Sequence, residues 1–405
     1  MTLTTIKKTL LPVLALALLA LGGTACEDDD TDMSAVIAEY ELEPRTVAID
    51  SSDLAEQPDV PPTDENDSTY NDYEENTNWD RVVTITFDGD TAYASTNTPG
   101  IALRVRGAHV TVISIYKRVQ MILSGASENG SLKVYSEYRF KLALNGVTLT
   151  NPTGPAINNQ CGKTLCVVST EGTVNTLHDG TTYADSYDED QKAAFFSEGQ
   201  IVFSGSGRLN VLAVGKGGIN SDDYVRFRPG CRIYVNSTAG NGIRGKDSVL
   251  VDGGVVNVEV SADGAKAVTC RGNISMKGGR LTAIATGGTL VAGADTTSAA
   301  ALKCDSLLTL SGGTLRLLAK GEDGKAVNCG LLFTMTGGSL TAVATGAKVL
   351  GSPKGVKCDG QVVVNGGSFY AYAAHEVPVD ADTGLTFATG YTSRYSGPRA
   401  VIVEY

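Results

Sequence analysis

A pair of adjacent glycines recurs through the C-terminal half of the chain, and no other feature of the sequence restricts the fold as tightly. The pair opens Gly253-Gly254-Val255-Val256, Gly278-Gly279-Arg280-Leu281, Gly312-Gly313-Thr314-Leu315, Gly337-Gly338-Ser339-Leu340 and Gly366-Gly367-Ser368-Phe369. Ser206-Gly207-Arg208-Leu209 and Pro229-Gly230-Cys231 are degenerate copies. The interval is about 23 to 25 residues, with longer ones where 286–299 and 348–354 add loop, and that period predicts a solenoid of stacked coils. A coil this short cannot bury its own apolar face, so each one requires a neighbour.

The alternation after each glycine pair sets the kind of coil. Leu209, Val211 and Ala213 fall on one face, as do Val256, Val258 and Val260, and Leu281, Ala283 and Ala285. This is strand periodicity in short segments bounded by Gly, Asn, Asp and Ser, and it predicts an all-β parallel β-helix. A second repeat agrees with it: Gly218-Ile219-Asn220-Ser221, Ala267-Val268-Thr269-Cys270, Ala301-Leu302-Lys303-Cys304, Ala326-Val327-Asn328-Cys329 and Gly355-Val356-Lys357-Cys358. Alternation turns the aliphatic residue and the Cys or Ser inward and leaves Asn220, Thr269, Lys303, Asn328 and Lys357 outside.

The cysteines at this repeat, Cys270, Cys304, Cys329 and Cys358, are read as a buried ladder of small apolar side chains rather than a metal column, because zinc needs tetrahedral convergence. Cys161 and Cys166 have two open readings, a local bridge or two free thiols.

The N-terminus has the layout of an export signal: Lys7 and Lys8, an apolar run from Leu10 to Leu21 too short to span a bilayer, then Gly23-Thr24-Ala25-Cys26. Residues 27–78 hold 18 acidic residues against one basic, a composition expected to stay unfolded. The expected organisation is a signal peptide over 1–25, a disordered acidic tether over 26–78, and one β-helix domain over 79–405. Without the signal and tether the remainder carries 27 acidic and 30 basic residues, so the overall net charge of −12 does not describe the folded part. No nucleic-acid partner is expected, and a monomer is. No phosphate-binding loop, HExxH or dinucleotide fingerprint occurs.

Two resemblances add to this reading. Residues 1–30 resemble a lipoprotein signal of the Bacteroidetes surface-export type, which implies lipidation at Cys26, a membrane contact through the lipid anchor alone, and a place at the outer membrane or cell surface. Tyr138-Arg139-Phe140-Lys141-Leu142-Ala143-Leu144-Asn145-Gly146-Val147-Thr148-Leu149-Thr150-Asn151, Glu171-Gly172-Thr173-Val174-Asn175 and Gly242-Ile243-Arg244-Gly245-Lys246-Asp247-Ser248 are similar to the carbohydrate-binding parallel β-helix family whose founding member is a clostridial cellulose- and acidic-sugar-binding protein. That resemblance implies a right-handed helix, calcium in the structure, and binding of cellulose-like or uronate-containing polysaccharide without catalysis. The chain departs from the family's pattern at Ser197-Glu198-Gly199-Gln200, where Ser-Lys-Asp-Asp is usual.

Candidate calcium ligands are Asp179, Asp185, Asp188 and Asp190, a loop with several carboxylates that could wrap one ion; a solvated acidic loop is the other reading. Aspartates at the coil corners, with Lys246, Lys303 and Lys357 beside them, read as turns with neutralising partners. For a polysaccharide the expected contacts are an outward row of Asn210, Asn257, Thr282, Arg316 and Thr341, with Tyr370 and Tyr372 outward on the last coil, and Arg244 and Lys246 at a corner. Amide groups take hydroxyls and tyrosine faces stack on sugar rings. A surface-tethered, non-catalytic binding protein is the reading these features favour; a calcium-dependent polysaccharide lyase and an adhesive surface protein without a specific glycan are its alternatives.

Overall fold

Parallel strands laid coil on coil make up most of the structure, and the period of the glycine pairs is the period of the stack. The computed structural model describes residues 43–405 apart from Gln57; the export signal, Cys26 and the first part of the expected tether lie outside the described residues. Pro44–Tyr405 is one unit of about 11 coils, and helix among the described residues is limited to two 3-10 turns, Tyr70–Asp72 and Glu74–Asn76.

One coil shows the plan. Gly217–Ser221 lies on a first face, Tyr224–Phe227 on a second and Arg232–Ser237 on a third. The next coil repeats it with Ile243–Gly245, Ser248–Val251 and Val255–Val260. Pairing is parallel and in register on every face, Ile219 beside Ile243, Val225 beside Val249 and Ile233 beside Val256. None of these six is more than 3% exposed, and Phe203 stacks on Phe227 at 5.3 Å in the same interior. Each such side chain gains about 1.5–3 kcal/mol when buried, and a coil obtains that only from its neighbours.

The glycine pairs occupy the turn between the second and third strands. A Cβ on Gly312 would lie 2.3 Å from the carbonyl oxygen of Lys277 in the preceding coil, and Gly313 has φ +77°. The first glycine is therefore required by the closeness of the coil below, the second by that closeness together with a backbone conformation that side chains disfavour.

The cysteine ladder is as expected: Cys270, Cys304, Cys329 and Cys358 pair in register on the first face and are at most 3% exposed. The Cys304 and Cys329 sulfurs are 3.7 Å apart. The hydrogen bond to Cys329, together with burial, holds the Cys304 thiol well above the usual range, and burial raises Cys270 to about 12. Cys161 and Cys166 are free, buried thiols.

Antiparallel strands close both ends. Arg81–Asp88 pairs with Thr91–Thr96, and Ala102–Arg106 with Ala108–Ser114. At the far end Ala400–Glu404 runs antiparallel to both Ser368–Ala373 and Ser393–Ser396. Unpaired strand edges are thereby blunted where the stack stops.

Residue 79 is not where the ordered part begins. Residues 44–78 apart from Gln57, expected within the disordered tether, run along the outside of the solenoid as an arm, over the third face and then the second. Composition alone predicts disorder because like charges repel, but seven of the arm's carboxylates meet cations or backbone amides of the coils.

Candidate functional site

The expected outward row exists on the third face, with one coil more than expected: Tyr234, not among the residues singled out, stands between Asn210 and Asn257. Asn210, Tyr234, Asn257, Thr282, Arg316, Thr341 and Tyr370 stand side by side on seven consecutive coils. It is not an open row. Asn257 is 2% exposed, Thr282 0%, Tyr370 2% and Tyr372 5%, which corrects the expectation that both tyrosines face solvent. Alternation assigns a side chain to the outer face; it does not say what lies on top.

What lies on the row is the arm, descending from the last coils toward the first. The Arg45 guanidinium sits 4.4 Å from the Tyr370 ring centroid, and the Arg45 amide donates to the Tyr370 hydroxyl at 3.2 Å. Asp50 takes Arg280 at 2.6 Å and lies 3.6 Å from Arg316. Asn257 Nδ2 donates to the Asp50 carbonyl at 3.1 Å, and Arg232 pairs with Asp53 at 2.7 Å. Glu56 accepts the amides of Gly230 and Gly254, on adjacent coils, at 2.7 and 2.6 Å.

At the corner of the second face the ion pairs become buried. Arg228, 3% exposed at its side chain, meets Asp59 at 2.6 Å and Glu75 at 2.9 Å, and its guanidinium lies 4.0 Å from the Tyr73 ring centroid. Arg226 joins Asp72 of the arm at 2.7 Å, and its Nε binds Asp252 of the solenoid. Hydrogen bonds from Ser52, then the charges of Arg280 and Arg316, hold Asp50 below its ordinary value. For Glu75 burial acts upward, and the hydrogen bonds from Arg228 outweigh it, so this carboxyl is also lowered.

The first face carries a second polar row, and this one has open clefts beside it. Asn220, Arg244, Thr269, Lys303, Asn328 and Lys357 occupy one position on six successive coils, as alternation predicts. Two adjoining clefts of about 390 and 510 Å³ share Lys192, Asn220 and Arg244; Asn241 lines one, and Asp222, Lys246 and Arg271 the other. Arg244 donates to Asn220 Oδ1 at 3.2 Å and is 3.8 Å from Asp222. Among the described residues Lys246 and Arg271 have no carboxylate partner. The clefts thus present amides and fixed cations, groups that bind hydroxyls and carboxylates. Lys192, Asp222 and Arg271 belong to this site and were not singled out from sequence as binding residues; their signal is position, each lying at a coil corner next to the repeating polar column.

The four aspartates expected to wrap calcium do not converge. Asp179 is fully buried; it accepts the amides of Val214, Gly215 and Lys216 at 2.7, 3.3 and 3.2 Å and the Tyr183 hydroxyl at 2.8 Å. Its oxygens therefore pin the next coil. Asp185 is exposed and caps the amide of Tyr187 at 2.9 Å, and Asp188 is exposed on the same loop. Asp190 instead approaches Glu198 and Asp222, with one oxygen of each within 4.8 Å of the others. The Lys192 ammonium already joins two of them, at 2.5 Å from Asp190 and in contact with Asp222. Burial lowers the Lys192 ammonium's tendency to stay charged, but these two hydrogen bonds prevail and raise it. Burial and the nearby Asp222 and Asp190 push Glu198 up. A lysine-filled carboxylate group does not fit calcium, which wants six to eight oxygens. At the corners, Lys303 pairs with Asp305 at 2.8 Å and Lys357 with Asp359 at 3.3 Å, as expected of neutralised turns, whereas Lys246, expected to do the same, does not pair among the described residues.

Comparison with known proteins adds the following. Residues 106–400 match the family model described as "Carbohydrate-binding domain-containing protein". No curated protein sequence matches the chain. Among solved structures it is similar to "Structure of the polysaccharide lyase-like protein from C. thermocellum, Gadolinium derivative", with 20% identity and a TM-score of 0.45 over 76% of this chain and 97% of that one.

Proposed function

The chain belongs to the family of carbohydrate-binding domain-containing proteins, and from that premise we propose that it is a non-catalytic receptor for an extended, uronate-containing polysaccharide. The observation that carries this reading is the first-face row. One polar group per coil, repeated at the coil spacing of about 4.8 Å, suits a polymer whose units also repeat along a line. Asn220 and Asn328 take hydroxyls, while Arg244, Lys246 and Arg271 take carboxylates. Arginine in particular meets a carboxylate through a planar pair of donors. A cellulose-like ligand would call for exposed aromatic faces, and the two tyrosines expected to supply them are buried.

Export and lipidation at Cys26 belong to the same proposal: they place the receptor at the cell surface, where polymers too large to enter are met. The test is retention on immobilised polygalacturonate, pectin and cellulose. Arg244→Ala with Lys246→Ala should lower retention on the acidic polymers and leave the melting temperature unchanged, since both side chains are partly exposed. Absence of retention on all three polymers would refute the proposal, and a rise in unsaturated-uronide absorbance would replace it with the lyase reading.

A further inference from the structure

We infer that the third-face row under the arm is a second binding site, for a carboxylate-bearing polysaccharide, and that the acidic arm is its built-in competitor. The inference rests on the carbohydrate-binding reading but concerns a different face. Three independent features lead to it.

The first is charge. Arg232, Arg280 and Arg316 find carboxylates only in the arm, among the described residues: Asp53, Asp50, and Asp50 again. The coils present these guanidinium groups without providing their counter-charges. The arm supplies an extended chain of carboxylates in their place, as an acidic polymer would.

The second is that the arm fits the row incompletely. Asn257 Oδ1, Arg280 Nε and Thr282 Oγ1 are buried without a hydrogen-bond partner, although Asn257 and Thr282 are at most 2% exposed. Buried polar groups are ordinarily paired. The three lie at the Asn257–Thr282 step of the row and beside it, where the arm passes. A hydroxylated ring offers what they lack: donors for Asn257 Oδ1 and Thr282, and an acceptor for Arg280 Nε.

The third is space. A cavity of about 290 Å³ remains between Ile49 and Ser51 of the arm and Asn210, Tyr234 and Asn257 of the row. The arm covers the row without filling it.

A tethered segment acts at an effective concentration on the order of millimolar, so it suppresses weak ligands and yields to multivalent ones. The apparent affinity of the row equals its intrinsic affinity scaled by the fraction of molecules with the arm displaced.

The test uses the full chain and an oligogalacturonate, with a cello-oligosaccharide as the neutral control, in titration calorimetry. Asp50→Asn with Asp53→Asn and Glu56→Gln loosens the arm and should tighten oligogalacturonate binding about tenfold or more, in line with a larger open fraction, leaving the neutral control unchanged. Arg232→Ala with Arg280→Ala in that background should abolish the gain, whereas Arg244→Ala with Lys246→Ala should not; this separates failure here from failure of the first-face reading. A reversible lock guards against misfolded variants. Ser51 and Asn257 touch through their side chains at 3.4 Å, so Ser51→Cys with Asn257→Cys should lose the arginine-dependent binding when oxidised and recover it when reduced. If the loosened variant binds no tighter, or the oxidised lock binds as well as the reduced form, the arm is a structural brace and the inference is wrong.

Discussion

Three alanine substitutions separate the two demands of the glycine turn: Gly146, within the strand Phe140–Asn151, and Gly312 each meet one, and Gly313 meets both. Gly146 has φ +76° and no atom within 4 Å of a would-be Cβ, so Gly146→Ala meets the backbone conformation alone. That costs about 1–2 kcal/mol. Gly312 has an ordinary φ, but its Cβ would stand 2.3 Å from the Lys277 oxygen, so Gly312→Ala meets the neighbouring coil alone. Forcing one methyl into a packed contact costs about 1–3 kcal/mol. Gly313 combines both, φ +77° with the carbonyl carbon and oxygen of Gly278 at 2.6 Å, and Gly313→Ala should cost about 2–5 kcal/mol. Urea unfolding followed by far-ultraviolet circular dichroism and by tyrosine fluorescence measures all three, with coincidence of the two curves checking for a single transition. The expected order is Gly313→Ala most damaging, with the other two milder. An undisturbed Gly312→Ala variant, or a Gly313→Ala variant no worse than Gly146→Ala, would refute the account of coil packing given above.

Three further outcomes are expected. Cys304→Ser should destabilise by about 1–3 kcal/mol, because the hydroxyl enters an apolar ladder, and Cys304→Ala should cost less; rapid alkylation of the native thiols would contradict the ladder. Asp50 and Glu75 have folded values below their ordinary 3.8 and 4.5, so their contribution is complete above those values and is lost as pH falls through the lowered ones. Amide exchange over 44–60, corrected for intrinsic rates, should therefore accelerate from pH 6 to pH 3 more than exchange over the coils, and equal acceleration would argue against ionic docking. Cys26→Ala should move the protein from the membrane fraction to the soluble one, and an unchanged distribution would count against lipidation.

The stack was legible because its causes are local. A glycine pair marks a turn, alternation marks the inside, and both recur, so the in-register columns from Asn220 to Lys357 and from Asn210 to Tyr370 follow from the order of residues, save Tyr234, whose coil carries the degenerate turn Pro229-Gly230. The arm was not legible because its cause is distant. Asp50, Asp53 and Asp59 resemble a solvated charge run until Arg280, Arg232 and Arg228 are placed opposite them, about two hundred positions along. A trace of it is present: Arg208, Arg232 and Arg280 fall at one register position of the third face, an excess of outward cations with no acid in that column until Glu404 of the closing strand. Asp179 was not legible either: apart from the Tyr183 hydroxyl its partners are backbone amides, which no pattern of residue types reveals.

The arm also alters what kind of object the solenoid is. A stack in which each coil touches only its neighbours can fray from either end one layer at a time. Here a single strand of chain clasps the stack from Arg139, 62 positions from its partner Thr77, to Tyr370, 325 positions from Arg45, and on to Glu404. Opening an intermediate layer therefore strips the clasp as well, and layers that would melt independently are made to melt together. The same geometry orders the events of synthesis. The arm leaves the ribosome before any of its partners, the coils can stack as they appear, and the last contact, Arg45 with Glu404, must wait for the closing strand, which joins two very distant points of the chain and adds a slow step at the end. A chain stopped short of Glu404 would never complete the clasp.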